Sequence, residues 1–326
     1  MYKYLIIVFL LIISKVPASE QVDVNDLLNK LQENQKNYAA YSATSVITSE
    51  IKKEQETYFS RRETVIFIDG ERIDFRNHQW RNLKSKDQAT PLEDADFRSF
   101  LWDGSSFYYY TKLDKYDCSL NITSNSDDKI EFLSTGYEGT PLIGIFNGDQ
   151  IPVYSILRKA KTISLREQLE KIGESKCYVI NAVTDHGEYT VWIDPEHGYN
   201  IAKAEVSKKK GDIHLGKPLS WMGDTTGLGY RSEIVPLSGY SFNLLNVRFE
   251  KINSVWVPVE ADYETTLDYG GRITKAKTHH KQTHTDLNPD FKSLKAFIPD
   301  IPDGTQVYKN DSPGTKYIWL DGKPVM

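Results

Sequence analysis

Apolar residues recur along this chain with two periods. Over residues 23–38, "DVNDLLNKLQENQKNY", Val24, Leu27, Leu28, Leu31 and Tyr38 fall at helical spacing behind Asp23. Asp suits the cap of a first turn, so the stretch predicts one amphipathic helix. From there the period switches to two. "RRETVIFIDGERIDF" carries apolar positions up to Asp69-Gly70 and away again, the signature of a hairpin with a two-residue turn. The same alternation flanks Asp103-Gly104 in "FLWDGSSFYYYTKL", His186-Gly187 in "CYVINAVTDHGEYTVWID" and Gly270-Gly271 in "DYETTLDYGGRITKAKTHH". These hairpins predict about nine or more antiparallel strands.

Residues 140–160, "TPLIGIFNGDQIPVYSILRKA", interrupt the alternation. Thr140-Pro141 and Ile151-Pro152 each place a proline where a helix can start, which predicts two short apolar helices. A long sheet with one helix before it and a helical excursion in its middle predicts an α+β fold, with helices covering one face of a strongly curved antiparallel sheet. No linker rich in Gly, Ser or Pro separates residues 40 and 285, so residues 19–288 read as one domain. The tail, 289–326, is denser in Pro and Gly and reads as an extension packed on that domain through a terminal hairpin.

Successive strands share an apolar face: Val191 and Ile193, then Leu245, Val247 and Phe249, then Val257, Val259, Ala261 and Tyr263, each alternating with polar neighbours. If the helices fill this face completely, it is only core. If they cover it as a movable plug, the same residues can accept an acyl chain or another apolar ligand.

Composition narrows the classes. The 326 residues are 39% apolar and 12% aromatic with a formal net charge of -5, which argues against nucleic acid as a partner. Lys208-Lys209-Lys210 is too short to form a basic face and reads as a solvated turn. At the N-terminus, Lys3 precedes an apolar run from Leu5 to Ile13, and Val16-Pro17-Ala18 supplies small residues before a cut. Residues 1–18 therefore read as a secretory signal cleaved after Ala18. The run is far shorter than the roughly 20 residues that span a bilayer, so the mature chain is expected to be exported and not an integral membrane protein. Cys118 and Cys177 could pair in an oxidising compartment, or could be two unrelated small core residues.

Candidate chemistry is sparse. In "EYTVWIDPEHGYNIAKAEV", residues 188–206, strand and turn rules account for nearly every position. Asp194, Glu196 and His197 could act as acid, base or metal ligand, but a turn is expected to expose them to water. Trp192 falls on the polar side of its strand and is expected at the surface. On a strand, His280 and His284 share a face about 13 Å apart while His279 points the other way, so they form no metal site by themselves. No Gly-x-Ser-x-Gly, His-Glu-x-x-His, phosphate loop or Cys-x-x-Cys is present. A non-enzymatic protein without cofactors or metal is the expectation; a site built from scattered carboxylates would escape such a search.

Three stretches carry a family resemblance. "FLWDGSSFYYYTKL" resembles an Asp-Gly strand pair, "EYTVWIDPEHGYNIAKAEV" a Trp-x-Asp-Pro hairpin and "NSVWVPVEADYE" a late strand of the periplasmic lipoprotein carrier and lipoprotein-sorting proteins. The opening helix running into "YAAYSATSVITSE" is similar too, and the likeness spans residues 23–285. It implies an unclosed half-barrel with helices in its mouth, a periplasmic location, and a carrier of lipid or of lipoprotein acyl chains on the apolar face that runs from Val191 to Tyr263. Related half-barrels imply a second reading, a sensor or interaction module that holds another envelope protein through edge strands and aromatics such as Trp192 and Trp256.

Overall fold

The computed structural model describes residues 22–326 except 87, 89, 114–117, 125–140, 222, 227–232 and 313. Lys3, the Leu5–Ile13 run, the cut expected after Ala18 and Thr140 lie outside the described residues.

The chain opens with α1 (Val24–Gln35), which tightens into a 3-10 turn over Lys36–Tyr38. Asp23 precedes it in extended conformation and makes no side-chain cap; its carboxylate instead accepts from the Asn25 amide at 3.2 Å. The region 141–160 is less helical than its pattern predicts: a 3-10 turn at Pro141–Ile143 and one short helix, α2 (Val153–Arg158), which starts just after Pro152.

Strands make up most of the molecule. First come β1 (Ala40–Lys53), β2 (Glu56–Asp69), β3 (Arg72–Leu83), β4 (Asp96–Trp102), β5 (Phe107–Lys112) and β6 (Cys118–Thr123). Then follow β7 (Thr162–Leu165), β8 (Glu170–Ile172), β9 (Ser175–Thr184), β10 (Gly187–Asp194) and β11 (Asn200–Lys209). Two small pairs, β12 (Ile213–His214) with β13 (Lys217–Pro218) and β14 (Gly223–Thr226) with β15 (Glu233–Pro236), precede the long β16 (Gly239–Ile252), β17 (Val255–Tyr269) and β18 (Arg272–Leu287). The tail adds β19 (Gln306–Lys309), β20 (Tyr317–Leu320) and β21 (Lys323–Val325).

All four hairpins expected from the sequence form, three of them with two-residue turns, at Gly70-Glu71, Asp185-His186 and Gly270-Gly271. The fourth is longer, because the Asp103 carboxylate accepts the backbone N–H groups of Ser105 and Ser106, both at 2.8 Å, and holds a four-residue loop. Hydrogen-bonded neighbours run β9–β10–β11–β16–β17–β18–β1–β2–β3–β4–β5–β6–β19–β20–β21, with β7 and β8 both on the free side of β9. This is one large curved antiparallel sheet, not closed, in which, among the described residues, only β6 and β19 run parallel. No described helix is long and apolar enough to cross a membrane.

One face of the sheet, here the core face, carries two apolar clusters. The larger joins Leu27, Leu28 and Leu31 of α1, Phe146, and Val153, Ile156 and Leu157 of α2 to strands β9, β10, β11, β16 and β17. The smaller holds Tyr38, Tyr41, Ile66, Phe75, Phe100, Val257 and Val259. On the opposite face, Cys177, Val179, Trp192 and Ala202 form a third group. A fourth, around Tyr110, Leu120, Val307 and Trp319, ties the tail to β5 and β6.

Candidate functional site

Along β10 and β11 the alternation delivers Tyr189, Val191, Ile193, Ala204 and Val206 to the core face, where all are buried against α1 and α2. Asn34 of α1 reaches the sheet through Asn200, Nδ2 to Oδ1 at 2.7 Å, and Gln35 Nε2 donates to the Ile143 carbonyl at 3.2 Å. Gly144 permits this approach, since it has φ +84° and a Cβ there would meet the Gln35 amide 1.8 Å away. Arg158 of α2 donates to Asn29 and Gln32 of α1 at 2.6 and 3.1 Å. The helices are therefore bonded to one another and rest on the strands through a mainly apolar layer. At the seam lies a small cleft lined by Leu31, Tyr38, Leu142, Ile201, Val247 and Pro258.

The expected apolar face is assembled in part. Val191, Ile193, Ala261 and Tyr263 join the larger core cluster, with Val247 packed against it, while Val257 and Val259 join the smaller. Leu245 and Phe249 do not belong with them. In β16 the register shifts between Leu245 and Arg248 and again before Phe249. Leu245 pairs with Asp262, on the face away from Tyr263, and its place on the core face is taken by Leu244. Phe249 packs against the Trp192 group on the opposite face. A β-bulge breaks strict alternation, and that is why counting by twos fails here.

The hairpin at 188–206 is held by its own residues. Asp194 is 1% exposed rather than solvated, and it accepts the N–H groups of Glu196 and His197 at 2.9 and 3.3 Å. His197 Nδ1 lies 2.7 Å from the Asp194 carboxylate and 3.3 Å from the Ser175 hydroxyl. Both partners converge on one ring nitrogen, so no proton relay can run through the imidazole from one to the other. The ring itself stacks on Phe249 at 4.8 Å and meets Trp256 edge-on at 4.7 Å. Trp192, expected at the surface, is 3% exposed: its Nε1 donates to Glu170 at 2.8 Å and Lys203 covers the ring at 4.2 Å.

Lys208 is not part of a solvated turn. It continues the inward phase of Ala204 and Val206 and is buried with Asp149, Nζ to Oδ1 at 2.6 Å, donating also to the carbonyls of Gly148 and Ile213 at 3.0 Å each. The Tyr189 hydroxyl donates to both Asp149 oxygens at 2.9 Å. Burial, followed by the Asp149 charge, pushes the phenol far above its ordinary range. His214 closes the group; burial, then the Lys208 charge, lowers its imidazole to about 3.

Cys118 and Cys177 are both free thiols. They sit on β6 and β9 with β10, β11, β16, β17, β18 and β1 to β5 between them, so no disulfide joins them in this fold. His279 is exposed and faces Asp262 at 2.9 Å, whereas His280 is buried and bonds the Tyr263 hydroxyl at 2.8 Å. No grouping of His, Cys, Asp and Glu suited to a metal ion occurs among the described residues.

No family model matches the sequence, and no curated protein matches it. Among solved structures the chain is similar to a domain of Vibrio parahaemolyticus assigned to outer membrane lipoprotein sorting, at 12% identity over 81% of this chain and 92% of that one, with a TM-score of 0.43. A DUF1329 family protein from Desulfovibrio piger is 11% identical over 82% of this chain and 94% of that one, with the same TM-score of 0.43. A chain of the Pseudomonas aeruginosa MucA/MucB complex is 10% identical over 83% of this chain and 97% of its own, with a TM-score of 0.25.

Proposed function

We propose that the protein is an exported, non-enzymatic carrier that shelters acyl chains of lipids or lipoproteins in the periplasm. In this reading α1 and α2 cover the concave face of the half-barrel formed by residues 19–288. The observation that carries it is the apolar layer between this cover and strands β9, β10, β11, β16 and β17. Because α1 and α2 are bonded to each other, they can lift together, and an acyl chain entering at the Leu31–Val247 cleft replaces their leucines on Val191, Ile193 and Tyr263. Each methylene so buried contributes about 0.8 kcal/mol. Native mass spectrometry of the mature protein, gently extracted from its own envelope, is expected to show a bound phospholipid or acylated peptide. Val247→Asp, at the cleft, should abolish that mass while the folded far-UV spectrum persists; lipid retained by the folded variant would sink the carrier reading.

A second reading, a module that binds another envelope protein, is favoured by the tail. Tyr308, Ile318 and Leu320 are 47%, 52% and 44% exposed. Gln306 pairs with Ile318, so alternation places all three apolar side chains on one side of β19 and β20. A stoichiometric protein partner in the same spectrum, lost on Ile318→Asp with lipid retained, would decide for it.

A further inference from the structure

The buried group around Lys208 has no part in the acyl-carrier reading, yet it brings a nucleophile against an acyl carbon. Lys208 Nζ lies 2.6 Å from Asp149 Oδ1, and both side chains are fully shut off from water. Such a contact sets the nitrogen close to the roughly 3–3.5 Å from the carboxyl carbon at which two groups react. The carboxyl turns about its Cβ–Cγ bond in a broad torsional well, so its carbon can face the amine. Desolvation of two enclosed ions offsets much of their attraction, whereas a neutral amide in their place carries no such cost.

The surroundings supply what a condensation needs. The Tyr189 hydroxyl donates to both Asp149 oxygens at 2.9 Å, the distance at which a donor stabilises charge developing on an acyl oxygen. Burial, then the Asp149 charge, keeps this phenol in its protonated, donating form. His186 Nδ1 lies 3.6 Å from Asp149 Oδ1 and, among the described residues, is buried without a hydrogen-bond partner. It is placed to pass a proton between the nitrogen and a departing oxygen. The resulting amide strands no buried group. Its N–H keeps the Ile213 carbonyl, 3.0 Å from Nζ, and its oxygen keeps the Tyr189 O–H. The Gly148 carbonyl, which loses Lys208, already accepts the Leu215 N–H at 2.9 Å.

We propose that Lys208 and Asp149 condense into an intramolecular isopeptide bond. In the newly folded chain they are an ammonium and a carboxylate. A proton passes from Nζ to the carboxylate along the 2.6 Å contact, leaving an amine and a carboxylic acid. The nitrogen lone pair then forms the Nζ–Cγ bond, while Tyr189 holds the charge that builds on one oxygen. Collapse of this adduct breaks the bond from Cγ to the other oxygen, which leaves as water with the acid's proton and one from nitrogen. One ammonium and one carboxylate give one secondary amide and one water, and the step draws on no oxidant, reductant or cofactor. Asp149 lies just before α2, and Lys208 near the end of β11. The bond therefore ties the 141–160 segment to the sheet, and it forms whether or not the helices shelter an acyl chain.

The test is the intact mass of the mature chain, unfolded in guanidinium after long incubation in the folded state, followed by tryptic mapping. The chain is expected to weigh one water less than the sum of its residues predicts. Trypsin cannot cut after an acylated lysine, so the map should contain a branched fragment joining the segment that holds Asp149 to the one that holds Lys208. Lys209→Arg, at an exposed position, should show the same loss, and Lys208→Arg should keep its full mass. Mapping the parent chain needs no substitution, so the outcome is readable even if Lys208→Arg does not fold. Full mass in the parent, with cleavage after Lys208, would overturn the bond and leave a buried ion pair. A water lost elsewhere, as in an aspartyl succinimide, gives no branched fragment and would overturn it equally.

Discussion

Lys208 and Asp149 carry opposite charges into a layer closed to water, and their stability depends on being left together. Truncating one partner strands the other, which typically costs about 3–5 kcal/mol. Lys208→Met is therefore expected to lower the free energy of unfolding, read from urea titration, by that amount, whereas Lys209→Met, one residue on and exposed beside Glu188, should change it by less than about 0.5 kcal/mol. Protons act at the same scale. Burial, followed by the nearby His279 charge, holds His280 at about 3, and burial with the Lys208 charge holds His214 at the same value, both lowered from 6.5. The unfolded chain thus binds more protons than the folded one below pH 6.5. The stability these neutral rings contribute is intact above that pH and is lost as pH falls toward 3, by up to about 1.4 kcal/mol per unit for each ring. Urea titrations between pH 7 and 4 should show this slope, and His280→Gln, which keeps a partner for Tyr263, should reduce it by about half if the two rings contribute equally. The Cys177 thiol, pushed up to about 12 first by burial and then by the Asp194 charge, should stay unlabelled by iodoacetamide at pH 8 in the folded state.

Elements were legible in the sequence wherever one period held without interruption. The opening helix, the four hairpins and the apolar phase of β10 and β17 follow from spacing alone, because each needs only a local pattern and a turn residue. Legibility ended where an element departs from its period. Asn246 sits at φ +53° in the bulge of β16 and donates to Asp262 at 2.7 Å, and this one residue sends Leu245 and Phe249 to the wrong side of a count by twos. Asn246→Ala should cost about 1 kcal/mol through the left-handed backbone, and Asn246→Gly much less, as read by thermal unfolding. Lys208 was missed for a different reason. It occupies an inward position in regular alternation, and a charge there contradicts the hydrophobic pattern instead of breaking it. Turn residues misled too: Asp194 is polar because it must accept two backbone N–H groups inside the fold.

At the scale of the whole molecule, the tail extends the sheet beyond β6. β19 pairs in parallel with β6, and Val307 and Trp319 bury Tyr110 and Leu120. Deleting residues 303–326 should abolish hydrogen-exchange protection in β5 and β6 while leaving β9 to β11 as protected as before. No local pattern announces this pairing, since its partners lie far apart in the chain. The same separation governs the centre of the sheet. β1 lies between β2, its neighbour in sequence, and β18, so Tyr41 waits for Leu287. At about 5–20 residues per second of synthesis, the chain passes roughly ten to fifty seconds with its first strand made and one of that strand's edges unpaired. During that interval the middle of the sheet cannot lock, and the polypeptide is still a thread that can be passed through a pore.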